Sequence, residues 1–252
     1  MFYLYLVIAA GVLLLFYMFI EAFRNRLIQL PLTFEELPKG LNSLRIFFIS
    51  DIHKRRVSER LINKVTKPVD IVIIGGDLLE AGVKQERLEE NLRQLTKLAP
   101  VYFVWGNNDE EVDKQWLETT LLRHGVTILS QSSEIITKSE SRIQLIGIDE
   151  EYEQLDQREI NNEMFTVLIS HYPDIIREAS SMLSPELSLS GHTHGGQIRL
   201  FRLGIAELGG MKRENGGWHL ISNGYGTTKL PLRLGAPQQT HIIELKKQEE
   251  RK

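Results

Sequence analysis

Not one of the 252 residues is a cysteine. Disulfides, thiolate metal sites and a cysteine nucleophile are therefore excluded, although the absence assigns no cellular compartment. Charge of one sign is lacking too: 30 Lys and Arg against 33 Asp and Glu leave a net charge of -3 at pH 7. So even a balance exerts no global pull toward nucleic acid, and no nucleic-acid partner is expected. An anionic substrate must then be held by local positive groups or by bound cations. There is no internal repeat, and the charged tail is the only segment of biased composition. Long apolar runs are equally scarce, with a single one, from Phe2 to Ile20, free of charge over its whole length. That length is enough to cross a bilayer core as a helix. No basic region precedes the run and no small-x-small cleavage site follows it, which disfavours a removable signal peptide. Arg24, Arg26 and Lys39 lie beyond it, so the positive-inside rule puts the bulk of the chain on the cytoplasmic side of a single-pass anchor in the cell membrane.

What the chain does have is five short polar clusters: Asp51-Ile-His53, Gly76-Asp77-Leu-Leu-Glu80, Gly106-Asn107-Asn108-Asp109, Ser170-His171 and Gly191-His192-Thr-His194. Each follows an apolar run that reads as a buried strand: Leu44 to Ile49, Ile71 to Ile74, Val101 to Val104, Phe165 to Ile169 and Leu187 to Leu189. Between the early runs lie Leu-punctuated polar stretches at helical spacing, Ser58 to Lys67, Lys84 to Lys97 and Asp113 to His124. The alternation predicts βαβ units and a sheet that is largely parallel at first. From Ile143 onward, glycine- and asparagine-rich turns at Gly209-Gly210, Asn215 to Gly217 and Asn223-Gly224 predict hairpins. In such sheets, ligands bind at the carboxyl ends of the strands, so side chains far apart in sequence can converge there.

The converging residue types are metal ligands. Asp51 and His53 are two apart and leave an extended segment on one face. Asp77 follows Gly75-Gly76, whose lack of bulk admits a close carboxylate, and it is the natural bridge. Asn107 adds an amide oxygen, and His171, His192 and His194 add imidazoles. The mixture of nitrogen and oxygen donors suits two divalent ions of Mn, Fe or Zn over Ca or Mg. A lone histidine would more often be structural, but Asp and His accumulated at successive strand ends have no structural cause.

In this order, the clusters resemble the calcineurin-like metallophosphoesterase superfamily, whose pattern runs D-x-H, G-D-x-x-D/E, G-N-H-D/E, H and G-H-x-H. The likeness spans Leu44 to Leu245, and Gly195-Gly196-Gln197 with Arg233 to Pro237 look most like its membrane-associated bacterial branch of YkuE/YaeI-like phosphoesterases. The resemblance implies a four-layered α/β/β/α sandwich behind the N-terminal transmembrane helix. It assigns one metal to Asp51, His53, Asp77 and His194 and the other to Asp77, Asn107, His171 and His192. It also places acidic residues at Glu80 and Asp109, where a carboxylate can take the second N–H of a metal-bound imidazole. One block departs: Asn108 stands where the family commonly has histidine. An amide donates a hydrogen bond but is no general acid.

The expected organisation is an anchor at 1–22, a juxtamembrane linker at 23–43, a catalytic domain at 44–246 and a charged tail at 247–252. The expected function is a membrane-anchored phosphoesterase in which a metal-activated hydroxide attacks a phosphodiester or pyrophosphate, with a lipid-linked or nucleotide-sugar substrate favoured. A metal-bound scaffold without activity and a nuclease are the rivals. Arg199, Arg202 and the Lys54-Arg55-Arg56 group are candidate phosphate binders or simply surface charge, and Asn223 to Gly226 is a plain turn or a substrate-shaping loop. His124, His219 and His241 receive no chemistry, and the sequence leaves the oligomeric state open.

Overall fold

The computed structural model describes residues 1–150, 155–156, 158 and 160–248. An apolar helix, α1 (Phe2–Ala22), is followed by strands β1 (Leu27–Phe34) and β2 (Ser43–Ile49). The chain then alternates through α2 (Glu59–Ile62), β3 (Ile71–Gly75), α3 (Gln85–Thr96), β4 (Val101–Val104), α4 (Lys114–Arg123) and β5 (Val126–Ile128). Strands β6 (Ser132–Lys138), β7 (Ser141–Ile148) and β8 (Thr166–Ser170) come next, then α5 (Pro173–Leu183) and β9 (Leu187–Ser190). Strands β10 (Gly210–Glu214), β11 (Gly217–Ile221) and β12 (Thr240–Lys247) complete it.

Two six-stranded sheets result, ordered β1-β12-β2-β3-β4-β5 and β10-β11-β9-β8-β7-β6. The period of two along β2 shows how they stack: Leu44, Ile46 and Phe48 face the second sheet's Ile143, Val167 and Leu189, while Phe47 and Ile49 meet the helices. Leu88, Leu92 and Leu95 of α3 and Leu117 and Leu121 of α4 cover that outer face at helical spacing. On the other side, Ile176 and Ala179 of α5 cover Ile146 and Leu168. The layers are therefore helix, sheet, sheet, helix, as expected.

Three local expectations change. The linker at 23–43 is not free chain, because Leu27–Phe34 pairs in parallel with β12 over its whole length. Pro31 concealed this, yet an edge strand tolerates a residue without an N–H. The helix expected from Ser58 to Lys67 stops at Ile62, ahead of β-branched Val65 and Thr66 and of Pro68. Among the described residues, the strand hairpin of the last third is β10–β11 with its Asn215-Gly216 turn, since β7 and β8 pair in parallel and α5, opened by Pro173, carries the chain from β8 to a parallel β9. Lys247 of the expected tail ends β12, and residues 249–252 lie outside the described residues.

His241, in β12, is buried beside Phe48, and its Nδ1 has no partner among the described residues. Burial lowers its pKa to about 3. Below pH 6.5 the unfolded chain takes up a proton there that the fold refuses, so stability is lost as pH falls toward 3, by about 1.4 kcal/mol per pH unit from this group. His241→Leu is expected to flatten that acid limb in urea unfolding measured from pH 7 to 4. An unchanged slope would refute it.

Candidate metal centre

The carboxyl ends of β2, β3, β4, β8 and β9 open on one edge of the sandwich, and each delivers its cluster there. Asp51, His53, Asp77 and His194 are buried, with ligand atoms all within 4.8 Å of one another. His53 Nε2 and His194 Nε2 face each other at 3.0 Å. Asp77 Oδ2 lies 3.6 Å from His53 Nε2 and 3.3 Å from His171 Nε2. Asp51 Oδ1 lies 3.4 Å from His194 Nε2. At the mouth, His192 Nδ1 and Asn107 Oδ1 converge at 3.0 Å, and the His171 and His192 rings are 5.0 Å apart. All seven residues expected as ligands thus meet in one place.

The backbone is bent to achieve this. Asp51, His53, Asp77, His192 and His194 all adopt positive φ, between 50° and 69°. Each such residue costs on the order of 1–3 kcal/mol, and strain of this kind concentrates at functional sites. Close approach demands glycine at two neighbours. A Cβ on Gly106 would sit 2.4 Å from the Asp77 carboxylate, and one on Gly76 2.5 Å from His171 Nδ1. The residue that admits the Asp77 carboxylate is therefore Gly106, in the loop after β4, rather than the adjacent Gly75-Gly76.

Burial favours a neutral Asp77, but the charge of His171, with His53 and the Asn108 N–H behind, holds its carboxyl down at about 2. Burial would likewise strip His171 of its proton, yet Asp77 raises it to about 9. His53 is raised against its own burial by Glu80, Asp77 and Asp51. His194, by contrast, is lowered to about 4 by burial. Without cations, the proton on His171 balances the buried Asp77 carboxylate, and a metal would displace it. His171 Nε2, buried and lacking a hydrogen bond, aims into the cluster. With converging imidazole nitrogens and two buried carboxylates, the donor set fits divalent metal.

The surrounding groups differ in role. Glu80 Oε2 lies 3.0 Å from His53 Nδ1, and its other oxygen lies 2.5 Å from Lys54 Nζ. His171 Nδ1 meets the Gly75 carbonyl at 2.8 Å. Asp109 corrects its expected place beside an imidazole: fully buried, it accepts from the Leu79 and Gly106 N–H groups and ties the β3 and β4 loops together. Burial, with the Asp77 charge, raises it to about 7. Asn108 donates its backbone N–H to Asp77 Oδ1 and its amide to Glu111, half-buried at the mouth. Glu80→Gln is expected to weaken Mn²⁺ binding by roughly 10–100-fold without lowering Tm, since outer carboxylates fix imidazole orientation. Unchanged affinity in calorimetric titration of the full chain would overturn that.

Among the candidate phosphate binders, Arg199 is committed elsewhere, its guanidinium donating to the carbonyls of Gly195, Ala206 and Arg202. Arg55 donates to the carbonyls of Phe23, Arg24 and Tyr225 and stacks 3.7 Å over the Tyr225 ring, joining the end of α1 to the domain. Three residues escaped the sequence reading. Ser50 donates to Asp51 Oδ2 at 2.5 Å. Tyr172 packs against both His171 and His192. Arg233 is completely buried behind His194. The last lies in the Arg233 to Pro237 segment, but no periodicity marks an arginine as interior.

Comparison with known proteins agrees with this geometry. The chain is 42% identical over 214 residues to the uncharacterized protein YpbG of Bacillus subtilis, covering 82% of this chain and 83% of that one. It is 30% identical over 224 residues to the metallophosphoesterase YkoQ of the same organism, covering 77% and 80%. To the phosphodiesterase YaeI of Escherichia coli it is 25% identical, over 62% of each chain. The 5'-nucleotidase precursor of Thermus thermophilus shares the fold, with a TM-score of 0.51 at 14% identity over 81% of this chain and 54% of that one. The calcineurin-like phosphoesterase pattern matches residues 44–196, and with the metal-ligand cluster inside that span the chain belongs to this family of metal-dependent phosphoester hydrolases.

Proposed function

We propose that the chain is a membrane-anchored hydrolase of phosphodiester or pyrophosphate bonds that works with two divalent cations, of Mn, Fe or Zn. The position of Asp77 carries this reading, because one buried carboxylate oxygen is shared between His53 and His171, at 3.6 and 3.3 Å. Asp51, His53 and His194 would hold one ion with Asp77, and Asn107, His171 and His192 the other. Such a pair supplies Lewis acidity and an acidified water. The chain's own residues set the rest. The exposed His192 and Asn107 form the rim that a phosphoryl group meets first. Asn108 offers a hydrogen bond there but no proton. A leaving group must therefore depart largely unaided, which favours a stable one such as a phosphate in a pyrophosphate.

The anchor rests on α1, 21 residues whose most apolar 18-residue stretch has a mean hydropathy of 2.4 and is little buried. Arg24 and Arg26 just past it support a cytoplasmic domain. The test is hydrolysis by the full chain, in detergent, of bis(p-nitrophenyl) phosphate and of diesters with poorer leaving groups, each with Mn²⁺, Fe²⁺ or Zn²⁺. Rates are expected to fall steeply as the leaving group worsens, and Asn108→His to relieve that dependence. No turnover with any metal, while metal binds, would overturn the reading.

A further inference from the structure

Among the described residues after Phe23, ten large apolar side chains are exposed, and seven of them are gathered in one patch: Ile198, Leu200, Phe201, Leu203, Ile205, Leu208 and Leu230. Phe201 is 92% exposed and Ile205 94%. Soluble surfaces scatter such residues singly, whereas a rimmed cluster marks a partner. The patch is built to stay outward. Leu200 and Leu203 exchange backbone hydrogen bonds and close a tight turn that presents Phe201 at φ 54°. At its base, the Arg199 guanidinium is pinned to three carbonyls of the same loop.

Two consecutive residues tie this patch to α1. The Arg233 N–H donates to the Met18 carbonyl, one turn before the helix ends, and the Leu234 N–H donates to Gln197 at the base of the loop. Residues 2–17 of α1 are exposed all around, so the apolar patch is tied to the last turn of a helix whose preceding turns call for acyl chains. Arg202 and Lys229 lie exposed beside it, as suits the phosphates of lipid headgroups. Three residues of the patch, Ile198, Ile205 and Leu230, also form a wall of the metal centre, where they line a cavity of about 510 Å³ with His192, His194 and Gln197.

We propose that Ile198–Leu208 and Leu230 seat on the bilayer beside α1, so that the metal centre receives an acyl-bearing phosphoester directly from the membrane. This rests on the anchored phosphoesterase reading above and names its substrate class. The apolar wall takes the chain of the substrate, and the histidines meet its phosphoryl group.

A chain without cysteine makes the test clean. Single cysteines replacing Phe201, Leu203, Val12 of α1 or Leu122 of α4 are labelled with nitrobenzoxadiazole. The full chain is then placed in phosphatidylcholine/phosphatidylglycerol vesicles carrying acyl-chain spin labels. Probes at 201, 203 and 12 are expected to shift to the blue and to be quenched, with the probe at 122 unchanged. If 201 and 203 behave like 122 while 12 lies in lipid, the seating is overturned but the anchor stands. If 12 also reports water, both fall. For the substrate class, Phe201→Glu/Leu203→Glu is expected to slow hydrolysis of phosphatidyl-p-nitrophenol in vesicles roughly tenfold or more, since charge is expelled from lipid, and to leave bis(p-nitrophenyl) phosphate unaffected. Equal effects on both substrates, or on neither, would overturn direct delivery. Failure of the parent chain on both would sink the phosphoesterase reading instead, leaving the probe positions to decide the seating.

Discussion

Asp77→Asn is expected to reduce hydrolysis of bis(p-nitrophenyl) phosphate by about 10³-fold or more. The substitution keeps volume and an acceptor for the Asn108 N–H, so the loops after β3 and β4 remain joined through Asp109. What it removes is the one carboxylate placed between His53 and His171. Losing several kcal/mol of charge stabilisation at a metal pair corresponds to roughly that factor, at 1.36 kcal/mol per tenfold. Metal content should fall in parallel, read by elemental analysis after gel filtration. His171 would also lose the partner that holds its proton, so its titration, followed by NMR of the metal-free chain, should move down from about 9. Activity within tenfold of the parent would show that Asp77 is not the shared ligand.

The second large effect lies behind the site. Arg233→Met is expected to lower stability by about 3–5 kcal/mol, in the range seen when one partner of a buried charged network is removed. The guanidinium is wholly buried, and it donates to the carbonyls of His194, Ala236, Asn223 and Gly226 at 2.6–3.2 Å. Burial pulls its pKa down to about 10, which still leaves it charged at neutral pH. Four carbonyl dipoles thus take the place of water, and removing their donor leaves each acceptor stranded at about 1–3 kcal/mol before relaxation. In a chain of this size the Tm should drop by roughly 6–20 °C. Arg233→Lys is expected to rescue little, because a single ammonium cannot reproduce a planar fork of donors. The loop bearing His194 would loosen with it, so metal affinity should fall as well. A lysine variant as stable as the parent would refute this account.

Strand order along the chain was legible because β3, β4 and β8 write continuous apolar runs into the sequence and β2 one broken only by Arg45, while the Leu-Ser-Leu-Ser of β9 was marked by the histidine cluster after it. β1 was not, since half-buried alternation broken by Pro31 resembles a connector until β12, more than two hundred residues later, pairs with it. The seven residues expected as ligands stood out because Asp, Asn and His at strand ends are chemically conspicuous. Arg233 and Ser50 did not, because an arginine that solvates carbonyls and a serine that braces a carboxylate look the same in one dimension as surface residues. Arg199 illustrates the converse, a cation beside the site that serves only its own loop.

The sequence by itself carried a set of metal-ligand residue types, alternating α and β elements and an apolar helix long enough to cross a bilayer, since residue type and short-range periodicity encode all three, while the layering came from the family resemblance. Tertiary structure decided that Asp77 is the residue shared between His53 and His171, that Gly106 makes room for it, that Asp109 braces loops, and that an exposed apolar loop lies beside α1. These depend on distances between segments separated by as many as two hundred residues. Such distances are set by sheet register and packing, which no local pattern carries.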